Sequence, residues 1–279
     1  MKHTISSVLA EISNSIQMDC HIPGIPSGLL GIDFYTRGFR KGDVYVFSGE
    51  PNSYKTSLML TILYNASVLF KYTTVYFTMD SSAENLVTRI LFQVSNTNIQ
   101  HFPHEKPTLA VLKNMYTAGE KIRRSNLSVV SDSFLSLEKI RNYCRDNNKI
   151  SLIIVDYIQL LCALQKSALQ ELKKIAVEYN ISVLVVNEIE NETMLNKTLL
   201  MQGNCDAIFL LKNDVWHDKH EDGNFGVTTY VEMDILKQKN GPSCKKVQLE
   251  FEEHSLRFYS NNCEIFDDEN NYGYEVHTC

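Results

Sequence analysis

The sequence predicts an α/β fold, in which a mostly parallel sheet carries helices on both faces and antiparallel strands extend the sheet at its C-terminal end. Short apolar segments of strand type alternate with amphipathic helical segments over most of the 279-residue chain. Such alternation is typical of parallel strands joined by crossover helices. The final third changes to strand segments that follow one another through short turns, which favours antiparallel pairing there.

Six apolar segments are predicted as strands of the parallel part, and helical patterns separate most of them. The predicted strands are 43–48, 74–78, 127–130, 152–155, 183–186 and 207–211. The predicted helices are 55–70, 83–95, 108–124, 136–147 and 165–179. The antiparallel extension is predicted at 229–236, 245–251 and 255–259.

Three segments of different character divide the chain. Apolar residues recur at helical spacing near the start, at Ile5, Val8, Leu9, Ile12 and Ile16, so residues 1–22 are predicted to carry an amphipathic linker helix. One short helix cannot bury such a stripe alone, and we expect it to dock on the main domain or on a neighbouring subunit. Residues 23–260 are the predicted α/β domain, and 261–279, rich in Asn, Asp, Glu and Tyr, are predicted to be a flexible tail.

The composition excludes several classes of protein. Hydrophobic residues make up 44% and charged residues 22% of the chain, which suits a packed core and argues against disorder. No apolar run is long enough to cross a membrane. The seven cysteines form no CxxC pair, which favours free thiols in a reducing compartment, the cytoplasm or the nucleoid. The net charge of −6 gives no overall attraction to nucleic acid, so any such site has to be a local basic patch or shared across an oligomer.

A phosphate-binding loop is the central motif. Its residues are Gly49, Glu50, Pro51, Asn52, Ser53, Tyr54, Lys55 and Thr56, which fit G-x-x-x-x-G-K-[ST] except at the sixth position. A strand precedes the motif and a helix follows it, the setting in which backbone N–H groups cradle phosphates. Lys55 is predicted to contact the β- and γ-phosphates and Thr56 to ligate Mg²⁺, with Ser57 as a further hydroxyl. Tyr54, in place of glycine, either distorts the loop or is tolerated with its ring turned outward.

Two further strands end in carboxylates. Asp156 follows the apolar segment 152–155, where a carboxylate can hold Mg²⁺ through water. The alternative for Asp156 is an ordinary strand-end residue or helix cap. Asp80 follows the strand 74–78 and is a candidate general base, or else a cap for the helix that starts near Ala83.

A group of potential metal ligands lies further along the chain. The group consists of His217, Asp218, His220, Glu221 and Asp222. It is charged, flanked by glycine and placed between predicted strands. We therefore predict a solvated loop there rather than a metal site.

The order of these motifs resembles the C-terminal motor domain of DnaB-type replicative helicases, a RecA-like P-loop ATPase domain, from about Thr4 to Tyr259. The most specific match is LIIVDYIQLL (152–161), at the position of the family's Walker B motif. VYFTMDSSAENLVTRIL (75–91) resembles the family's strand, acid and helix segment, and DILKQKNGP (234–242) resembles its KQRNGP hairpin. The family's N-terminal collar domain has no counterpart in this sequence.

The resemblance implies roles for the residues at matching positions. Lys55 and Thr56 would bind the phosphates of ATP and Mg²⁺, Asp156 would hold Mg²⁺, and Asp80 would be the general base. Glu188 stands where the family has a glutamine that senses the γ-phosphate.

The resemblance also implies partners. Lys237 and Lys239 stand where a lysine and an arginine of the family reach into the ATP site of the neighbouring subunit. It therefore implies a homo-oligomer, or a hetero-oligomer with related subunits. Single-stranded DNA is an implied partner, although the segments that grip it in the family are short here, at 162–172 and 191–206.

Departures from the family pattern leave three functions open. Tyr54 replaces glycine, Asp80 replaces glutamate, Glu188 replaces glutamine and Lys239 replaces arginine. The first hypothesis is an ATP-dependent DNA helicase motor that acts in replication or recombination. The second is a related subunit with weak or no ATPase activity that serves assembly or regulation. The third is a RecA-like switch ATPase that acts on protein partners.

Overall fold

The computed structural model describes residues 23–98, 106–161, 165–190, 204–219 and 227–259. The predicted helix at 4–18, the predicted tail at 261–279 and nearly all of the segment 191–206 lie outside the described residues. Among the helices of the described residues, none is long and apolar enough to span a membrane.

A single sheet runs through the described part of the chain. Its strands are β1 (Val44–Gly49), β2 (Thr74–Thr78), β3 (Leu127–Ser131), β4 (Leu152–Asp156), β5 (Ser182–Glu188), β6 (Ala207–Lys219), β7 (Val227–Gln238), β8 (Lys245–Glu252) and β9 (Arg257–Tyr259). They lie in the order β3-β2-β4-β5-β1-β6-β7-β8-β9. Strands β1 to β6 pair in parallel, and β7, β8 and β9 extend the sheet by antiparallel pairing. The predicted fold class is confirmed.

In the described residues, one helix precedes β1 and the others connect the parallel strands. They are α1 (Leu30–Thr36), α2 (Lys55–Tyr64), α3 (Ala83–Ser95), α4 (Leu109–Arg123), α5 (Leu137–Asp146) and α6 (Gln165–Tyr179). A π-helix, Asn65–Leu69, continues α2, and a 3-10 turn, Ile158–Leu160, follows β4. Side-chain hydroxyls start three of the helices: Ser82, Thr108 and Ser136 each accept a hydrogen bond from the backbone N–H three residues later.

The sheet separates two hydrophobic cores, because successive side chains of a strand point to opposite faces. Tyr45 and Phe47 of β1 pack on one face, with residues of α1, α2 and α3. Val44 and Val46 pack on the other face, with residues of α5 and α6. Every residue of β1 is buried, so the loop that leaves its carboxyl end starts from a rigid base.

The carboxyl ends of four parallel strands meet at one edge of the sheet. Gly49, the last residue of β1, pairs with Glu188, the last residue of β5. Asp156, the last residue of β4, pairs with Thr78 at the end of β2. The parallel register therefore brings together the loop after β1 and the acidic residues that follow β2, β4 and β5.

Two findings depart from the sequence predictions. Residues 30–36 form α1, a helix that was not predicted. His217 and Asp218 belong to β6 and pair with Thr229 and Thr228 of β7, because the two strands form a longer hairpin than the apolar pattern indicated. The solvated loop predicted there is wrong for these two residues, and residues 220–226 lie outside the described part of the chain.

Candidate functional site

The loop between β1 and α2 has the shape of a phosphate cradle. Gly49 leaves no room for a side chain, because a Cβ atom there would lie 2.9 Å from the Leu211 carbonyl oxygen. The Ser53 N–H donates to the Glu50 carbonyl oxygen over 3.2 Å, which closes the turn. Asn52 has a left-handed backbone with φ of 65°. The loop then enters α2, whose first N–H groups have no partner within the helix and attract an anion.

Tyr54 occupies the left-handed position that glycine holds in the motif. Its φ is 58° and its ψ is 16°, and it directly precedes the first residue of α2. The ring turns away from the loop and packs on Phe251 of β8 with a centroid distance of 4.4 Å. Phe251 in turn packs on Phe258 of β9 at 4.8 Å. The loop therefore carries a left-handed tyrosine directly before α2, and the half-buried ring packs against the antiparallel extension.

Lys55 is folded back over the loop. Its ammonium group donates to the carbonyl oxygens of Gly49 at 3.0 Å and Glu50 at 2.5 Å, and to the Ser53 hydroxyl at 3.2 Å. The side chain is only 7% exposed. Burial lowers the pKa of Lys55, and the nearby carboxylates of Glu188 and Asp156 act in the opposite direction.

Asp156 and Thr56 meet at the base of the cradle. The Thr56 hydroxyl donates to Oδ2 of Asp156 over 3.1 Å. The hydroxyl of Tyr76, a fully buried residue of β2, donates to the same oxygen over 2.5 Å. Burial raises the pKa of Asp156, although these two hydrogen bonds act to lower it. Asp156 is thus the last residue of β4 and caps no helix, since Tyr157 precedes the 3-10 turn, and its role as a Mg²⁺ ligand stays a prediction.

Two residues next to the candidate site were not predicted from the sequence. Tyr76 lies in the middle of an apolar strand, and its contact with Asp156 depends on β2 and β4 being neighbours. Arg89 of α3 donates to the Ser57 hydroxyl over 3.0 Å. Its positive charge also acts to lower the pKa of Asp156. The only clue to Arg89 was a cation in an amphipathic helix directly after a strand-end acid.

Asp80 lies at the same edge of the sheet. It is exposed, and its N–H donates to the Thr78 hydroxyl over 3.3 Å. The side chain that caps α3 belongs to Ser82, so the alternative of Asp80 as that cap is wrong. Its role as a general base stays a prediction.

Glu188 faces Lys55 of the loop. Its Oε2 atom lies 3.7 Å from Nζ of Lys55. The Ile189 N–H donates to the Gly49 carbonyl oxygen over 3.1 Å, which ties the end of β5 to the start of the loop. Gln159, in the turn after β4, donates to the backbone oxygen of Glu188 and, over 3.0 Å, to Oδ1 of Asn187. The backbone that carries Glu188 is therefore held from two sides.

Comparison with known proteins decides the family. The model of the DnaB-like helicase C-terminal domain matches residues 24–260. The chain belongs to this family. It is 25% identical over 276 residues to replicative DNA helicase DnaB of Geobacillus stearothermophilus, covering 88% of this chain and 60% of that protein. It is 25% identical over 245 residues to replicative DNA helicase DnaC of Bacillus subtilis, covering 79% and 53%. The chain thus spans little more than half the length of these relatives.

Solved structures support the RecA-like fold. A DnaB-like replicative helicase, described with its interactions with primase, matches with a TM-score of 0.76 at 19% identity, covering 94% of this chain and 68% of that one. A separately solved ATPase domain matches with a TM-score of 0.77 at 19% identity, covering 94% and 100%. A KaiC-like protein from Pyrococcus horikoshii matches at 0.58 and 16% identity, covering 84% and 98%.

The two lysines at the family's inter-subunit position lie away from this site. Lys237 pairs with Ile208, near the amino-terminal end of β6, whereas the loop leaves the carboxyl end of β1. Its ammonium donates to the Cys205 carbonyl oxygen over 3.1 Å. The Lys239 ammonium lies 3.5 Å from Oδ1 of Asp206 and is 63% exposed. The structure therefore does not bring these lysines to the phosphate cradle of their own chain.

Proposed function

We propose that this chain is an ATP-dependent motor domain that binds ATP with Mg²⁺, hydrolyses it, and drives movement along DNA during replication or recombination. The observation that carries the proposal is the convergence of Lys55, Thr56 and Asp156 at the cradle after β1. Membership of the DnaB-like helicase family supports the DNA-directed part of the proposal.

The side chains of the site fit a magnesium nucleotide. Oxygen ligands suit Mg²⁺, and the Thr56 hydroxyl and the Asp156 carboxylate already lie 3.1 Å apart. Thr56 would bind the ion directly and Asp156 through water, while loop N–H groups and Lys55 hold the phosphates. When bound, Mg²⁺ would neutralise part of the charge on the phosphates. Asp80 would take the proton of the attacking water, with a shorter reach than a glutamate has.

The placement of Lys237 and Lys239 supports an oligomer as part of this proposal. Both side chains lie toward the end of the sheet opposite to the cradle, so a phosphate that they contact would belong to another protomer. Cations supplied in this way would stabilise the negative charge of the transition state. Lys239 gives a point charge in place of the two-pronged contact of an arginine.

A second candidate function is an assembly or regulatory subunit that does not turn over ATP. The observation that favours it is the negative charge of Glu188 beside Lys55, together with the left-handed tyrosine in the cradle. The retained Thr56 and Asp156 contact favours the motor, which therefore remains our main proposal.

The experiment is hydrolysis of ATP with Mg²⁺, measured with and without single-stranded DNA. We expect hydrolysis that single-stranded DNA stimulates and that Lys55→Ala abolishes. Lys113→Ala, at an exposed position of α4, is the matched control and should keep full activity. ATP hydrolysis at the same rate with and without single-stranded DNA would support a switch ATPase instead. No hydrolysis by a folded protein would support the regulatory subunit.

A further inference from the structure

The feature that the proposed function leaves unexplained is a carboxylate beside the phosphate-binding lysine. The lysine of such a loop contacts the β- and γ-phosphates of a bound nucleotide. Here Nζ of Lys55 already has three oxygen acceptors from its own loop and Oε2 of Glu188 at 3.7 Å. The ammonium is thus engaged by the protein itself.

The position of Glu188 follows from the sheet rather than from a flexible loop. It is the last residue of β5 and pairs with Gly49, the first residue of the cradle. Asn187 donates to the Ser48 hydroxyl over 3.2 Å, and Gln159 donates to both Asn187 and the Glu188 backbone. These contacts fix the backbone of Glu188, so its carboxylate stays within reach of the lysine.

The carboxylate itself can leave the lysine. The Glu188 side chain is 41% exposed, whereas Lys55 is 7% exposed. A solvent-exposed carboxylate can rotate into water at small cost, and the buried ammonium then needs another anion. In this ion pair Lys55 is therefore held in place, whereas the Glu188 carboxylate can be replaced by another anion.

We propose that the Glu188 carboxylate occupies the γ-phosphate position of the cradle, so that a nucleoside triphosphate has to displace it and a nucleoside diphosphate does not. This inference rests on the proposed nucleotide site and adds that the site prefers a nucleoside diphosphate to a triphosphate. The loop N–H groups can hold the phosphates of a diphosphate while Glu188 stays on Lys55. A γ-phosphate competes with the carboxylate for one ammonium and is repelled by it. The site favours the diphosphate state.

The test compares the affinities of two nucleotides in two proteins. Fluorescent ADP and a fluorescent, non-hydrolysable ATP analogue are titrated, with Mg²⁺, into the wild type and Glu188→Gln. Glutamine keeps the size of the side chain and removes its charge. We expect the wild type to bind ADP more tightly than the ATP analogue. Glu188→Gln should bind the analogue at least about tenfold more tightly than the wild type does, with ADP affinity changed by less than about twofold.

A control variant tests whether the loss of any surface carboxylate, rather than of Glu188 in particular, changes nucleotide affinity. Glu138→Gln removes one negative charge from an exposed position of α5, on the other face of the sheet, and should leave both affinities unchanged. Circular dichroism and thermal unfolding should show that Glu188→Gln folds as the wild type does.

Three results would overturn the inference. An unchanged ratio of the two affinities in Glu188→Gln would show that the carboxylate does not oppose the γ-phosphate, while the proposed motor function would stand. Weaker binding of both nucleotides to Glu188→Gln would show that Glu188 supports nucleotide binding. Binding of neither nucleotide by either protein would refute the proposed function, and the inference with it.

Discussion

The left-handed backbone of Tyr54 predicts an inverted order of stability for two substitutions. Tyr54→Gly and Tyr54→Ala both remove the ring from Phe251, so they lose the same packing. They differ in that alanine keeps a Cβ atom at φ of 58°, whereas glycine adopts this conformation without a clash. At an ordinary helical position the alanine variant is the more stable of the two, and at position 54 the glycine variant should be.

The magnitude follows from two opposing terms. A left-handed conformation costs a residue with a Cβ atom about 1–2 kcal/mol. Glycine loses about 0.5–1 kcal/mol more than alanine when the chain folds, because its unfolded state is more flexible. We therefore expect Tyr54→Gly to be more stable than Tyr54→Ala by about 0.5–1 kcal/mol. Both should be less stable than the wild type by about 2 kcal/mol, since the half-buried ring no longer packs on Phe251.

Urea unfolding measures this difference, provided that the unfolding free energy of each variant falls with urea concentration at the same slope. The matched pair is Lys113→Gly and Lys113→Ala at an exposed position within α4, where alanine should be more stable by about 1 kcal/mol. If Tyr54→Ala proves as stable as Tyr54→Gly or more so, the left-handed strain assigned to this position is wrong.

Three other contacts give predictions that unfolding experiments check. Phe251→Ala should destabilise the fold by about 3–5 kcal/mol, because Phe251 is buried between two aromatic rings; a cost below about 1 kcal/mol would refute its packing role. Tyr76→Phe should cost about 1.5–3 kcal/mol, because buried Asp156 loses a hydrogen bond, and should cost less in an Asp156→Asn background. Lys173→Met should cost about 2 kcal/mol at neutral pH, because Lys173 bonds to Asp206 at 2.6 Å. Burial acts to raise the pKa of Asp206, but hydrogen bonds from Lys173 and a backbone N–H outweigh it and lower that pKa, so this stability is lost as the pH falls below about 4. The difference in unfolding free energy between Lys173→Met and the wild type should therefore become smaller in acid. A difference that does not change with pH would contradict the ion pair.

The arrangement of the site could be predicted where it depends on local pattern. The apolar segment of β1, followed by a lysine and a threonine, predicted the strand, loop and helix correctly. The apolar segment 152–155 also predicted that Asp156 stands at a strand end, whereas Glu188 was singled out only by the resemblance to the DnaB family. These features depend on hydrophobic periodicity and on the direction of the chain, both of which can be read from one sequence.

Other parts depend on contacts between distant segments. The sequence could not show that the ring of Tyr54 packs on Phe251, because β8 joins the sheet far along the chain. The bond from Tyr76 to Asp156 requires β2 and β4 to be neighbours, and the order of strands is a property of the whole sheet. Helix α1 was missed because Leu29 precedes it and supplies no side-chain cap, so the usual sign of a helix start was absent.

We expect the cradle after β1 to bind a nucleotide although a tyrosine stands in it. The most direct measurement is calorimetric titration of ADP with Mg²⁺ into the wild type and Lys55→Ala, since Glu188 does not oppose the diphosphate. We expect one binding site per chain in the wild type and loss of binding in Lys55→Ala, with both proteins folded. No binding of ADP by the folded wild type would contradict the claim.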